Sequence, residues 1–162
     1  MPRRSLSHSN GCAAIAVAPA GCRAGIDIEV TKARDVHGIA EFAFASGEAQ
    51  ELRWLGEAAA TAHFYVLWTL KEAFAKALGM PLLVATRECV FERCAGTLAA
   101  SVPSSMPWQA IVFAPRPALT LAAVIVYPGE GTTDGWNCQE WPGSAAGVWP
   151  CLASFNGGGE RS

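Results

Sequence analysis

Residues 64–80, FYVLWTLKEAFAKALGM, constrain the fold more than any other stretch of the chain. There is no proline in them, and the single glycine, Gly79, stands near the end. The segment therefore reads as a helix from about Ala58 to Leu78, with Gly79 at C′ and Pro81 blocking extension. A surface helix needs a full polar face, and this one has almost none, so it belongs in the interior. Lys71, Glu72 and Lys76 are the charges of the quoted stretch. Phe64, Trp68, Glu72 and Lys76 recur every four residues and lie along one stripe, which Lys71 flanks. One reading of Glu72 and Lys76 is an ordinary i,i+4 ion pair. The other is a functional site, because such pairs usually occupy polar faces.

Strand-like runs flank this helix. Cys12–Ala18 and Gly25–Val30 precede it, and runs near Glu88–Arg93, Thr97–Val102, Trp108–Phe113 and Leu119–Tyr127 follow, separated by Gly or Pro-Ser turns. A helix is expected over Val36–Phe44, and Ser46 is placed as the cap of a short helix through Leu55. The pattern is α+β, with helices grouped between the second strand and an antiparallel set. After Pro128 the chain is rich in Gly, Ser and Trp without periodicity, so Gly129–Ser162 is expected to be a disordered tail outside the core.

At 162 residues the chain is long enough for one domain with a sizeable core, and 51% of its residues are apolar against 16% charged. The net charge of −2 provides no basic field for nucleic acid, so any phosphate ligand must be held by a few placed cations. No apolar run approaches the length of a membrane span. The opening MPRR followed by CAAIAVAPA mimics a secretory signal, but the polar stretch Ser5–Asn10 separates the arginines from the apolar run and favours a strand. The six cysteines show no C-x-x-C pair or metal spacing and read as free thiols of a cytoplasmic protein.

In Gly25-Ile26-Asp27-Ile28-Glu29-Val30, strand alternation puts the isoleucines on one face and both carboxylates on the other. Neighbouring carboxylates repel unless something positive lies between them. Taken alone, the strand pair is better read as the exposed polar face of an edge strand; with Glu72 from a buried helix it becomes a set of hard oxygen donors suited to Mg²⁺. Ser7-His8-Ser9, just before the first strand, adds hydroxyls and an imidazole able to hold a phosphate.

The motifs S-H-S, G-I-D-I-E, F-A-S-G-E (Phe44–Glu48) and W-T-L-K-E-A-F-A-K (Trp68–Lys76), in this order and spacing, resemble the Sfp-type 4′-phosphopantetheinyl transferases over roughly Ser5 to Pro128. The resemblance implies a phosphopantetheinyl-transferase-like fold with helices packed on a mostly antiparallel sheet. It also implies transfer of phosphopantetheine from coenzyme A to a serine of an acyl or peptidyl carrier protein, releasing 3′,5′-ADP. By the same resemblance Asp27, Glu29 and Glu72 bind Mg²⁺, and Lys76 contacts the coenzyme A phosphates. Ser7 and His8 help to hold the nucleotide's phosphates. Glu72 doubles as general base, and Lys71 orients Glu72 or meets a phosphate. Glu48 is a weaker candidate that braces the loop before the helix.

Sfp-type enzymes resemble two fused halves with the site between them, whereas only about a strand and a loop precede G-I-D-I-E here. The chain accordingly reads as a remnant of the N-terminal half (1–24), the C-terminal half (25–128) and the tail (129–162), with self-association expected through the open face. The single-half, trimeric holo-acyl-carrier-protein synthases are the second enzymatic reading. An inactive remnant that binds Mg²⁺ or a carrier protein is the non-enzymatic one.

Overall fold

The computed structural model describes residues 3–94, 97–129, 136–138 and 150–157. Along these residues run β1 (Arg4–Ser9), β2 (Cys12–Val17), β3 (Arg23–Val30), α1 (Val36–Ala43), α2 (Ser46–Trp54), α3 (Glu57–Leu78), α4 (Leu82–Glu88), β4 (Val90–Cys94), β5 (Thr97–Ser101), β6 (Trp108–Arg116), β7 (Leu119–Val126) and β8 (Cys151–Gly157). The expected α+β class holds.

The apolar helix is α3, ended by Gly79 in the left-handed conformation (φ 70°), which glycine adopts without a Cβ penalty. It crosses an antiparallel sheet of order β3-β7-β6-β8. Phe64, Tyr65, Leu70 and Phe74 are fully buried, and Trp108, Ala110, Val112, Ala122, Val124 and Val126 meet the helices from the sheet. On the sheet's other face, Ile26, Ile28, Phe113 and Leu121 are covered by Cys12, Ala14 and Ala16 of β2. With both faces covered, every residue of β7 is buried, which explains its unbroken apolar run LTLAAVIV. No helix among the described residues is long and apolar enough to cross a membrane.

Gly25 sets the distance between β3 and α3. A Cβ there would collide with the backbone of Ala73 and Ala77, so only glycine permits this approach. Asp27 and Glu29 are consequently carried up to the helix.

The polar stretch before Cys12 is a strand. Asn10 and Gly11, both at positive φ (47° and 81°), turn β1 back on β2 in a two-residue hairpin. The hairpin lies along the free edge of β3 and is joined to it by serines. Ser5 Oγ accepts the Ile26 N–H at 3.0 Å, and Ser9 Oγ accepts the Val30 N–H at 3.3 Å. These hydroxyls satisfy edge groups that would otherwise face water or another chain.

The expectation that 129–162 lies outside the core fails at Cys151–Gly157. This segment is β8, paired antiparallel with β6 from Trp108↔Gly157 to Phe113↔Cys151. Its reason is backbone pairing plus one anchor, Phe155, which is buried against Phe91. An edge strand held in that way needs no apolar alternation, so composition does not reveal it. Trp136 also packs on the outer sheet face. Residues 130–135, 139–149 and 158–162 of the expected tail lie outside the described residues. Two smaller departures concern caps. α4 was not expected, and the residue preceding α2 is Ala45, whose N–H donates to Glu48 Oε2 at 3.2 Å, so Ser46 is already helical.

Candidate metal and phosphate site

The alternation of β3 turns Asp27 and Glu29 toward α3, and the Gly25 contact sets them beside Glu72. Asp27, Glu29 and Glu72 each offer a carboxylate oxygen, all within 4.8 Å of one another. Asp27 is buried, its side chain only 3% exposed. Its Oδ1 accepts from Ser7 Oγ at 2.7 Å and from Lys76 Nζ at 2.9 Å. Lys76 also donates to the Ile26 carbonyl at 2.9 Å. Asp27 Oδ2 is buried without a hydrogen-bond partner. Glu29 Oε2 accepts from Ser9 Oγ at 2.8 Å.

This crowding has a measurable consequence. Burial, and then the neighbouring Asp27, push the Glu72 carboxyl up to about 7, with Glu29 adding to the rise and Lys76 opposing it. Three hard oxygen donors, one of them a buried orphan, fit a divalent cation such as Mg²⁺. The cation would supply the partner Oδ2 lacks and cancel the repulsion that raises Glu72.

The structure brings Asp27, Glu29, Glu72, Lys76 and Ser7 together. It does not bring His8 to them. Along β1 the residues alternate, so Ser7 is buried against β3 while His8 is exposed on the opposite face of the hairpin. The Ser7 hydroxyl, expected at the nucleotide's phosphates, donates to Asp27 Oδ1, and the exposed His8 stands apart from the carboxylates.

Lys71 is the larger correction. It points away from the carboxylates into the core, where its side chain is 0% exposed. Its Nζ donates to Glu48 Oε2 at 2.8 Å, to the Thr86 carbonyl at 2.8 Å, and to the Cys89 carbonyl. Glu48 Oε1 accepts the Phe91 N–H at 2.9 Å. Burial drives the Lys71 amine down and the Glu48 carboxyl up, and their mutual attraction opposes both shifts. All three ammonium protons are used, so Lys71 is neither a phosphate ligand nor an orienting group for Glu72. It ties α3 to α2 and to the end of α4. Glu48 was expected to brace the loop before α3; its bonds go instead to the start of α2, to Lys71 of α3 and to the Phe91 backbone.

The residues that sequence reasoning missed are Ser9 and Ser5, together with the steric demand at Gly25. Their signal was available in S-x-S-x-S on alternate positions, closed by the turn dipeptide Asn10-Gly11.

A cavity of about 990 Å³ lies beyond the carboxylates rather than on them, lined in part by Thr31, Ala62, His63, Val66, Leu119 and Thr120. Thr120 pairs with Glu29 across the β3–β7 ladder, and Thr31 follows Glu29 two residues on. The cavity is an adjoining space on the same face of the sheet.

No curated protein matches this sequence. Residues 23–104, just over half of the 162, match the 4′-phosphopantetheinyl transferase superfamily, and that stretch contains Asp27, Glu29, Glu72 and Lys76. The chain belongs to the 4′-phosphopantetheinyl transferase superfamily.

Proposed function

We propose that the protein transfers 4′-phosphopantetheine from coenzyme A to a serine of an acyl or peptidyl carrier protein, in the manner of the Sfp-type enzymes, with Mg²⁺ held by Asp27, Glu29 and Glu72. The observation that carries this reading is the buried, unpartnered Asp27 Oδ2 facing two further carboxylates. Bound there, Mg²⁺ supplies positive charge to the coenzyme A pyrophosphate and orients it for in-line displacement.

The chain's own residues divide the remaining work. The serine Oγ of the carrier attacks the phosphorus that bears pantetheine, the bridging P–O bond breaks, and 3′,5′-ADP leaves. The serine proton goes to Glu72, directly or through water. A carboxylate kept ionised beside the cation can accept that proton and pass it on to water. Lys76, whose side chain is 33% exposed, stands beside Asp27 as a point charge that can reach an incoming phosphate. Ser7 holds Asp27 Oδ1 so that Oδ2 stays directed at the cation. The pantetheine arm, long and only weakly polar, extends into the cavity that adjoins Glu29.

The test is incubation of the purified chain with coenzyme A, Mg²⁺ and several unmodified carrier proteins, with the mass of each carrier followed over time. Gain of one phosphopantetheine, abolished by Asp27→Ala or Glu72→Ala and by chelator, is the expected result. Transfer that survives both substitutions would overturn the assignment of these carboxylates. Filling the cavity with Val66→Trp should raise KM for coenzyme A and leave Mn²⁺ binding unchanged; an unaltered KM would remove the arm from this cavity.

A further inference from the structure

We infer that Ser9 is a positioning residue that aims the Glu29 carboxylate at the cation, a role that rests on the metal reading above. Ser9 is 8% exposed and stands where β1 passes the end of β3. Its hydroxyl accepts the Val30 N–H at 3.3 Å, which takes up a lone pair and leaves its one proton for Glu29 Oε2 at 2.8 Å. The backbone of β3 thereby orients the hydroxyl, and the hydroxyl orients a carboxylate of the same strand.

Glu29 needs such a tether more than Asp27 does. Asp27 has a short side chain, deep burial and two donors on Oδ1, from Ser7 and Lys76. Glu29 is only half-buried and has one more rotatable bond. Its repulsion with Asp27 and Glu72 favours rotamers that swing it out to solvent, where side-chain entropy is also recovered. The Ser9 bond opposes that loss by holding Oε2, which keeps the Glu29 carboxylate beside those of Asp27 and Glu72. Outer hydrogen bonds of this kind fix the geometry of metal-ligating side chains.

Ser5 provides an internal control. It joins the same hairpin to the same strand through the Ile26 N–H at 3.0 Å, and in that bond it touches backbone rather than carboxylate. A general loosening of the hairpin would appear in Ser5→Ala as well as in Ser9→Ala. A specific loss of aim would appear in Ser9→Ala alone.

The experiment titrates the full chain with Mn²⁺, read as free Mn²⁺ by electron paramagnetic resonance, for wild type, Ser9→Ala, Ser9→Thr and Ser5→Ala. Ser9→Ala should weaken Mn²⁺ binding by roughly 10–100-fold. Ser9→Thr keeps the hydroxyl and should restore most of the affinity, and Ser5→Ala should stay close to wild type. Wild-type affinity in Ser9→Ala overturns the inference while leaving the metal site standing. An equal loss in Ser5→Ala also overturns it, because the cause is then hairpin docking. Absence of Mn²⁺ binding by the wild type would sink the metal reading itself, and this inference with it.

Discussion

The Glu72 carboxyl links metal, pH and stability in a way that a single substitution can expose. In the fold it titrates at about 7, against an ordinary value of 4.5. The metal-free folded protein therefore holds a proton between these values that the unfolded chain has released. Stability contributed by this group is fully present below pH 4.5 and is lost as pH rises through about 7. The gap between the two values corresponds to about 3 kcal/mol at pH 8, at 1.36 kcal/mol per pKa unit. Glu72→Gln keeps the shape of the side chain and removes the ionisation. The variant should exceed wild type only slightly at pH 5 and by about 3 kcal/mol at pH 8, or roughly 6–12 °C in Tm for a chain of this size.

A divalent cation should reverse the order. The cation favours the ionised cluster, so at pH 8 Mn²⁺ at a thousand times Kd should stabilise wild type by about 4.1 kcal/mol. Glu72→Gln lacks one ligand charge and should gain much less. The assay is thermal or urea unfolding from pH 5 to pH 8, with and without Mn²⁺, for both proteins. Parallel pH dependences for wild type and variant without metal would show that no proton is held at this cluster in the fold. The reasoning from burial and like charge would then be wrong.

Three other substitutions probe the framework. Gly25→Ala places a methyl group against the Ala73 and Ala77 backbone, so urea unfolding should show a loss of about 3 kcal/mol and Mn²⁺ binding should weaken as β3 moves off α3; wild-type values for both would refute the close-approach argument. Lys71→Met leaves Glu48 as an unpaired buried charge and should cost about 3–5 kcal/mol in unfolding experiments, with most of it recovered in the Lys71→Met, Glu48→Leu double variant; a stable single variant with weakened coenzyme A binding would return Lys71 to the phosphates. Leu6, Ile15 and Val17 are 59%, 65% and 62% exposed on the outer face of the β1–β2 hairpin, a patch that should drive self-association measurable by sedimentation and abolished by Ile15→Glu; a monomer at all concentrations would end that expectation.

How far the sequence could be read depends on whether each signal is local. The alternation in G-I-D-I-E puts both carboxylates on the face opposite the isoleucines, and the structure keeps that division. Helix α3 starts within one residue of its expected start because its length, Gly79 and Pro81 all lie in one window. Asn10-Gly11 was equally local but was passed over, since the serines beside it look like loop residues until their alternation is matched to a strand edge. β8 has no local pattern. Its place comes from the unpaired side of β6, a non-local fact that its seven residues do not encode.

Lys71 and Glu72 show where reading from spacing ends. They are adjacent in sequence, so on a helix their side chains point about 100° apart. On a surface helix one of the two directions would be solvent, and the charge there would need no explanation. At this turn of α3 Lys71 is fully buried and Glu72 partly so, and each charge must find its own partner. Glu72 meets the β3 carboxylates, and Lys71 meets Glu48, which lies 23 residues away in sequence. A motif that writes lysine and glutamate side by side suggests a shared task, whereas the fold gives them different sides of the helix and different work. One holds α2 and α4 to α3. The other stands in the carboxylate cluster, at the height where Gly25 lets β3 approach the helix. Substitutions at these neighbours should therefore separate, Lys71→Met losing stability across the pH range, and Glu72→Gln losing metal affinity while gaining stability at high pH.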